Sequence, residues 1–437
     1  MREIDLLIEP RWIIPIEPPG ATLEHHAIAV DGGRILALLP ADDAALRFRA
    51  RRKLSLSSHV LLPGLINLHT HAAMTLLRGY ADNLKLTDWI KQRIYPAEAR
   101  HVSPDFVRAG TLLACAEMLR GGITCFNAMY FYPEAAAEAA LRVGMRAVLG
   151  ILTTDFPTAY AADADDYLGK GLAARDALMD EPLISFCMAP HAPYTVSDSS
   201  FERIVTLAAQ LDLPIHLHLH ETASEIEESI KRYGVRPLER MRRLGLLGPS
   251  LIAVHAVHLE AAEIALLAEQ CCSVVHCPTS NMKLACGVAP IAKMAAQGIS
   301  LGLGTDGAAS NNRLDLFREM NHAALLASVS SGDAAAFNAH EVLRMATLNA
   351  AIALGQETNI GSLEVGKLAD LCAVRLDDPS LLPCSDPASH LVHVAGREHV
   401  SHVWTGGELR VADGRLLPVE AAELLDIAHL WQNRLRS

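Results

Sequence analysis

Between Val60 and about Ala350 the chain alternates short apolar runs with long stretches rich in Ala, Leu, Glu and Arg. The apolar runs, ending near Leu68, Ala128, Leu152, Ala189, Leu219, Val254, Val275 and Leu303, predict strands, and the stretches between them predict helices. Strands alternating with helices point to a parallel (β/α)8 barrel, and pattern alone leaves an open parallel sheet as the alternative. The alternation is well specified locally. After Glu221, Thr222-Ala-Ser-Glu225 is a capping-box pattern, Glu227 and Lys231 form an i,i+4 pair, and Gly234 sits where a helix can stop. The flanks read differently. Ile4 to Leu56 carries short apolar runs separated by turns such as Pro18-Pro-Gly and Asp31-Gly-Gly, and short strands return at Leu371 to Val374, Val400 to Trp404 and Leu409 to Ala412. The expected organisation is an α/β chain in which residues 1–59 and 365–437 make a small composite β-sandwich domain and residues 60–364 a distorted (β/α)8 TIM barrel.

Length and composition fit that division. A chain of 437 residues exceeds the usual single-domain size, and half of it is hydrophobic. A formal charge of −12 argues against a nucleic-acid or anionic-membrane partner. Nine cysteines without C-x-x-C spacing, two of them adjacent at Cys271-Cys272, read as reduced thiols. With no signal-peptide pattern and no apolar run long enough to span a bilayer, the expected location is the cytoplasm.

The chemistry gathers at the C-terminal ends of the predicted strands. His69-Thr-His71 closes one run, and a strand puts both imidazoles on one face, which is half a metal site. His216, His218 and His220 repeat that period and are followed by Glu221; another run ends in His255, and another in Gly304-Thr-Asp306-Gly. Any one of these histidines reads equally well as a hydrogen-bonded core or surface residue. Together they match the way a barrel builds its active site.

The segments Leu62-Pro-Gly-Leu-Ile-Asn-Leu-His69-Thr-His71, Asp88-Trp89, Tyr95-Pro-Ala-Glu98, Ala189-Pro-His191, His218-Leu-His-Glu221-Thr, His255-Ala-Val-His258, Val275-His-Cys-Pro-Thr-Ser-Asn281-Met-Lys-Leu and Leu303-Gly-Thr-Asp306-Gly run in one order along the chain. In that set the sequence resembles the metal-dependent amidohydrolases, and within them the 5′-methylthioadenosine/S-adenosylhomocysteine deaminases. The resemblance implies hydrolytic removal of an exocyclic amine with one divalent metal per chain. Its ligands would be His69, His71, His218 and Asp306, a set suited to Zn²⁺, with Fe²⁺ or Mn²⁺ as alternatives. The bridging lysine of binuclear relatives has no counterpart in Ser185-Phe-Cys-Met-Ala-Pro-His191, which favours a single ion.

By the same resemblance Glu221 protonates the ring, His255 orients the nucleophile and Asp306 takes its proton. Glu98 and His191 recognise the ribose, Trp89 packs on the nucleoside, and His276 and Asn281 shape a loop with no assigned chemistry. One feature departs from the pattern. The stretch Gly150 to Asp163 after the third strand has no Arg or Lys to hold a homocysteine carboxylate, so 5′-methylthioadenosine is the expected substrate, ahead of S-adenosylhomocysteine and adenosine. The competing readings are a deaminase or chlorohydrolase of a free base or s-triazine and a non-catalytic scaffold of the same fold. A small-molecule partner is expected, and homo-oligomerisation is left open.

Overall fold

The computed structural model describes residues 1–436. Its strands, in chain order, are β1 (Arg2–Ile13), β2 (Leu23–Glu24), β3 (His26–Asp31), β4 (Arg34–Pro40), β5 (Phe48–Pro63), β6 (Leu65–Thr70), β7 (Ile123–Ala128), β8 (Arg146–Thr153), β9 (Ile184–Pro190), β10 (Ile215–Leu219), β11 (Leu251–His255), β12 (Ser273–His276), β13 (Ser300–Leu303), β14 (Leu371–Arg375), β15 (Val400–Thr405), β16 (Glu408–Ala412) and β17 (Arg415–Leu416). Strands β6 to β13 follow one another in sequence order in one sheet, each pair parallel. Each predicted strand end lies within two residues of the observed one. The barrel strands are buried on both faces, which is why they read as continuous apolar runs rather than as alternation.

The seam between β13 and β6 is closed by side chains and turn amides. Asn67 Nδ2 donates to Thr305 Oγ1 (2.8 Å), Thr305 N–H donates to Asn67 Oδ1 (3.0 Å), and Asp306 N–H donates to the His69 carbonyl (3.0 Å). Gly304 is required there, because a Cβ on it would lie 2.8 Å from the His69 Cβ. This irregular closure is the distortion expected of the barrel.

The two chain ends build one nine-stranded mixed sheet in the order β17-β16-β15-β14-β5-β1-β3-β4, with β2 on β1. Ile8 and Ile28 from the N-terminal part pack with Leu371 and Trp404 from the C-terminal part in one buried cluster. β5 runs straight from this sheet into β6 across Gly64, where a Cβ would collide with the Thr124 side chain. The acidic net charge conceals one basic run, Arg47, Arg49, Arg51, Arg52 and Lys53. Parallel pairing sets Glu3 beside Arg49, while Arg51 and Lys53 bridge to Asp5 (3.2 Å) and Glu9 (2.8 Å), so acids of β1 answer much of that run. Beyond the expected strands the terminal segments carry helices, among them Ala41–Arg47, Pro387–His393 and Ala421–Arg436, the last of which sets Trp431 edge-on against Phe106. Among the described residues no helix is long and apolar enough to cross a membrane.

At the end of the barrel remote from the strand C-termini, Arg146 makes a two-pronged bridge to Asp370 (3.1 and 3.2 Å), and Asp370 also accepts the Gly406 N–H. Both side chains are buried, so the pair couples the barrel floor to the composite sheet. Arg146→Met leaves the Asp370 carboxylate without its cation and is expected to cost about 3–5 kcal/mol of stability while sparing kcat. Urea denaturation checks this; a loss below about 1 kcal/mol would mean that the pair contributes little to holding the two sheets together.

Candidate active site

The strand ends turn sharply. His220, one residue past β10, His255 at the end of β11, and Asp306 past β13 all have left-handed backbones, with φ of 55°, 72° and 60°. Such positions cost about 1–3 kcal/mol each in a residue other than glycine and persist only where neighbouring structure enforces them. Here the turns bring Glu221, His255 and Asp306 into one buried mouth with His69, His71 and His218.

The hydrogen bonds on the far sides of the imidazoles fix which nitrogens face inward. His71 Nδ1 meets the Met129 carbonyl at 2.6 Å and His218 Nδ1 meets the His191 carbonyl at 2.6 Å, so both rings donate backward and keep Nε2 free. His69 Nδ1 lies 3.0 Å from His216 Nε2, while its own Nε2 is buried without a hydrogen bond, 3.3 Å from Asp306 Oδ1. His71 Nε2 is also 3.3 Å from that oxygen. Ligand atoms of His69, His71 and Asp306 lie within 4.8 Å of one another, as do those of His69, His218 and His255. An orphaned inward nitrogen beside a carboxylate and further imidazoles is a donor set that fits a divalent ion.

Electrostatics favour the same use. Burial lowers the His69 pKa to about 4 and that of His218 well below its ordinary value, which favours the neutral, ligating form of both rings. For Asp306, burial alone would raise the pKa, but the neighbouring imidazoles, His69 first, hold it well below the carboxylate range. Its Oδ2 accepts from Ser280 (2.6 Å) and Ser310 (2.7 Å), and its Oδ1 accepts the Gly307 N–H (2.7 Å). Across the mouth, burial raises the Glu221 carboxyl. Glu221 Oε1 is 3.7 Å from His255 Nε2, and His255 Nδ1 is held by Asn281 Oδ1 at 2.8 Å.

The wall of the cavity comes from the segment Leu86–His101, two short helices joined by a π turn at Ile90–Ile94, which turns both Trp89 and Glu98 toward the opening. Tyr130 donates its hydroxyl to Glu98 Oε1 (2.8 Å), and burial lifts the Glu98 pKa to about 7. His191 lines the same cavity and leans on Thr195. Of the nine residues to which the sequence reading gave a role in the site, eight line this one cavity, and His69 lies just beneath its lining, within ligand distance of Asp306.

His216 and His220 lie apart from the cavity. His216 supports His69, while His220 ties Leu238 N–H and the His258 carbonyl. Sequence reasoning missed Tyr130, Ser280, Ser310 and the contact made by Asn281. Ser310 had a signal, four residues beyond Asp306, where a turn brings it back to the carboxylate.

The amidohydrolase family model matches residues 60–410. A 5-methylthioadenosine/S-adenosylhomocysteine deaminase of Teredinibacter turnerae is 45% identical over 99% of this chain and 98% of its own length. One of Saccharophagus degradans is 44% identical over 99% and 97%. The crystal structure of an adenosine deaminase from Xanthomonas campestris with bound zinc superposes with a TM-score of 0.98 at 48% identity, covering 100% of this chain and 99% of that one. An atrazine chlorohydrolase from Arthrobacter aurescens, complexed with zinc, shares the fold at a TM-score of 0.89 and 24% identity over 98% of this chain and 99% of its own. The chain belongs to the amidohydrolase family and, within it, to the 5-methylthioadenosine/S-adenosylhomocysteine deaminases.

Proposed function

We propose that the site hydrolyses the C6 amine of an adenine nucleoside, with 5′-methylthioadenosine preferred over S-adenosylhomocysteine and adenosine, giving the inosine-type product and ammonia. What supports this reading above all is the meeting in one cavity of a buried acid-base group, Glu221, His255 and Asp306, with a separate carboxyl, Glu98, in the wall. His69, His71, His218 and Asp306 would hold one divalent ion, with zinc favoured by the zinc-bound Xanthomonas relative. Such an ion supplies a nucleophile near neutral pH by drawing the pKa of a water toward about 7.

The chain's own residues do the rest. Glu221, its carboxyl raised by burial, gives its proton to N1 of the purine, which makes C6 electrophilic without leaving a negative ring nitrogen. His255, its Nδ1 committed to Asn281, presents Nε2 to the attacking oxygen and orients it. Asp306, with Oδ2 saturated by Ser280 and Ser310, uses Oδ1 to take the proton of the attacking water, which then passes to the departing amine. As the amine leaves, the proton on the new C6 oxygen passes to Glu221 and restores its acid form, so one water is consumed and ammonia leaves.

Glu98 accepts from the ribose diol with both oxygens, and Tyr130 keeps the carboxyl aimed at the cavity. Toward the loop after β8 the lining is mostly apolar and aromatic, Phe131, Leu152, Phe156, Ala159 and Tyr160 with Thr154 and Thr158, and among the described residues no Arg or Lys lines the cavity. A methylthio tail suits that surface, whereas a carboxylate-bearing tail would lose its hydration without gaining a cation.

Two measurements test the reading. Ammonia release should be fastest with 5′-methylthioadenosine, and S-adenosylhomocysteine clearly ahead would overturn the preference. Glu98→Ala should lower kcat/KM for nucleosides by about 10–100-fold through the lost diol contacts while metal content stays unchanged. A Glu98→Ala enzyme with full nucleoside activity would instead favour the free-base or triazine alternative. The pH profile carries a sign. With its pKa near 7, Glu98 is protonated on the acid side and loses acceptor capacity, so kcat/KM should fall as pH drops below about 7, and Glu98→Gln should remove that component.

A further inference from the structure

We propose that Glu225 is a positioning residue for proton transfer: its side-chain carboxyl oxygens clamp the two backbone amides that aim Glu221 into the cavity. Glu225 Oε1 accepts the His220 N–H at 3.0 Å and Oε2 accepts the Glu221 N–H at 2.9 Å. These amides belong to the left-handed turn at His220 that ends β10 and to the residue after it, whose side chain must reach the purine. The inference rests on the reading of Glu221 as the proton carrier.

The arrangement departs from ordinary helix capping. Thr222 Oγ1 accepts the Glu225 N–H at 3.2 Å and so caps the helix Ala223–Tyr233, as the Thr222-Ala-Ser-Glu225 pattern predicts. In a capping box the glutamate would return to the amide of the capping residue itself. Elsewhere in this chain it does so: Glu341 Oε2 takes the Asn338 N–H at 2.8 Å on the protein surface. Glu225 instead passes over Thr222 to the two preceding amides.

Glu225 is also buried, 5% exposed, and the bonds it makes there are to backbone amides rather than to a cation. Burial raises its pKa to about 8. A surface cap needs no such cost; a buried carboxyl held on two amides suits a turn whose geometry has to be kept. His220 anchors the same turn from its other side, its Nε2 accepting the Leu238 N–H and its Nδ1 donating to the His258 carbonyl. Among the described residues only the Glu225 clamp hydrogen-bonds the backbone of Glu221 itself. Without it the His220 and Glu221 amides lose their acceptor, which loosens the turn that sets the 3.7 Å approach of Glu221 to His255.

The test is a double-mutant cycle with 5′-methylthioadenosine on metal-loaded enzyme. Glu225→Ala should lower kcat by about 10–100-fold, the cost of an ångström-scale misplacement, with KM within about threefold and metal content unchanged. Glu225→Gln keeps one acceptor and should recover part of the loss, and it carries the test if the alanine variant does not fold. On a Glu221→Gln background, Glu225→Ala should cost less than about threefold more, because there is no longer a proton carrier to aim. Thr222→Ala, which removes only the cap, should lower Tm and leave kcat within about twofold. The proposal is overturned if Glu225→Ala lowers Tm like Thr222→Ala without lowering kcat, or if the two losses multiply in the double mutant. An active Glu221→Gln enzyme would overturn the reading of Glu221, a separate failure.

Discussion

Replacing Glu221 by glutamine is expected to lower kcat by about 10²–10⁴-fold, the range of a lost general acid, while KM stays within a few fold and the bound metal is retained. Glutamine is nearly isosteric and still offers an N–H, so it can hydrogen-bond the ring but cannot deliver a proton to N1. The surroundings provide no substitute. The Cys286 thiol lies 3.8 Å from Glu221 Oε1, but burial and the neighbouring carboxylates push its pKa far above its ordinary value. Glu225 has both oxygens committed to the backbone. Steady-state kinetics with metal analysis on the same preparation decide the matter: a variant within about tenfold of the parent, metal-loaded, would remove Glu221 from the proton path.

Much of this site was legible in the sequence because barrels concentrate function at one end of each strand. His69 lies near the end of β6 and His71 is the residue just after it, so the alternation of a strand was enough to expect both on one face. The spacing from His218 to Glu221 likewise survives folding, because β10 ends at Leu219 and the chain turns at His220. The missed contacts are of another kind. Asn281, Ser280 and Tyr130 act across sequence separations of 26 to 32 residues, on His255, Asp306 and Glu98, and no local pattern marks such pairs. The composite sheet was legible because its strands alternate with strong turns. The helix Ala421–Arg436 was not singled out, since most of it is exposed and it carries one fully buried anchor, Trp431, on the barrel. Glu225 falls between the two cases: its helix cap could be read locally, but the direction of its side chain depends on the left-handed turn before it.

Stripping the ion with a chelator should reduce deamination by more than about two orders of magnitude and restoring Zn²⁺ should return it, because the residues left behind do not themselves activate water at neutral pH. The same treatment should lower Tm. At a free metal concentration about a thousandfold above Kd, a ligand that binds only the folded chain contributes about 4 kcal/mol, and His69→Ala should lose both the activity and this stabilisation. The architecture gives a reason to expect the two losses together. Asp306 and His255 are held in left-handed conformations, His69 buries a nitrogen without a partner, and several imidazoles crowd one carboxylate. Each of these is a cost to the folded chain that a cation at the centre would offset, by satisfying the orphan nitrogen and drawing the imidazoles and Asp306 onto one point. Metal analysis, kinetics and calorimetry on the stripped, reloaded and His69→Ala proteins distinguish the outcomes. About one ion per chain, with activity and Tm rising together on reloading, is the expected result; full activity in protein shown to be metal-free would end the metal-dependent reading of the site.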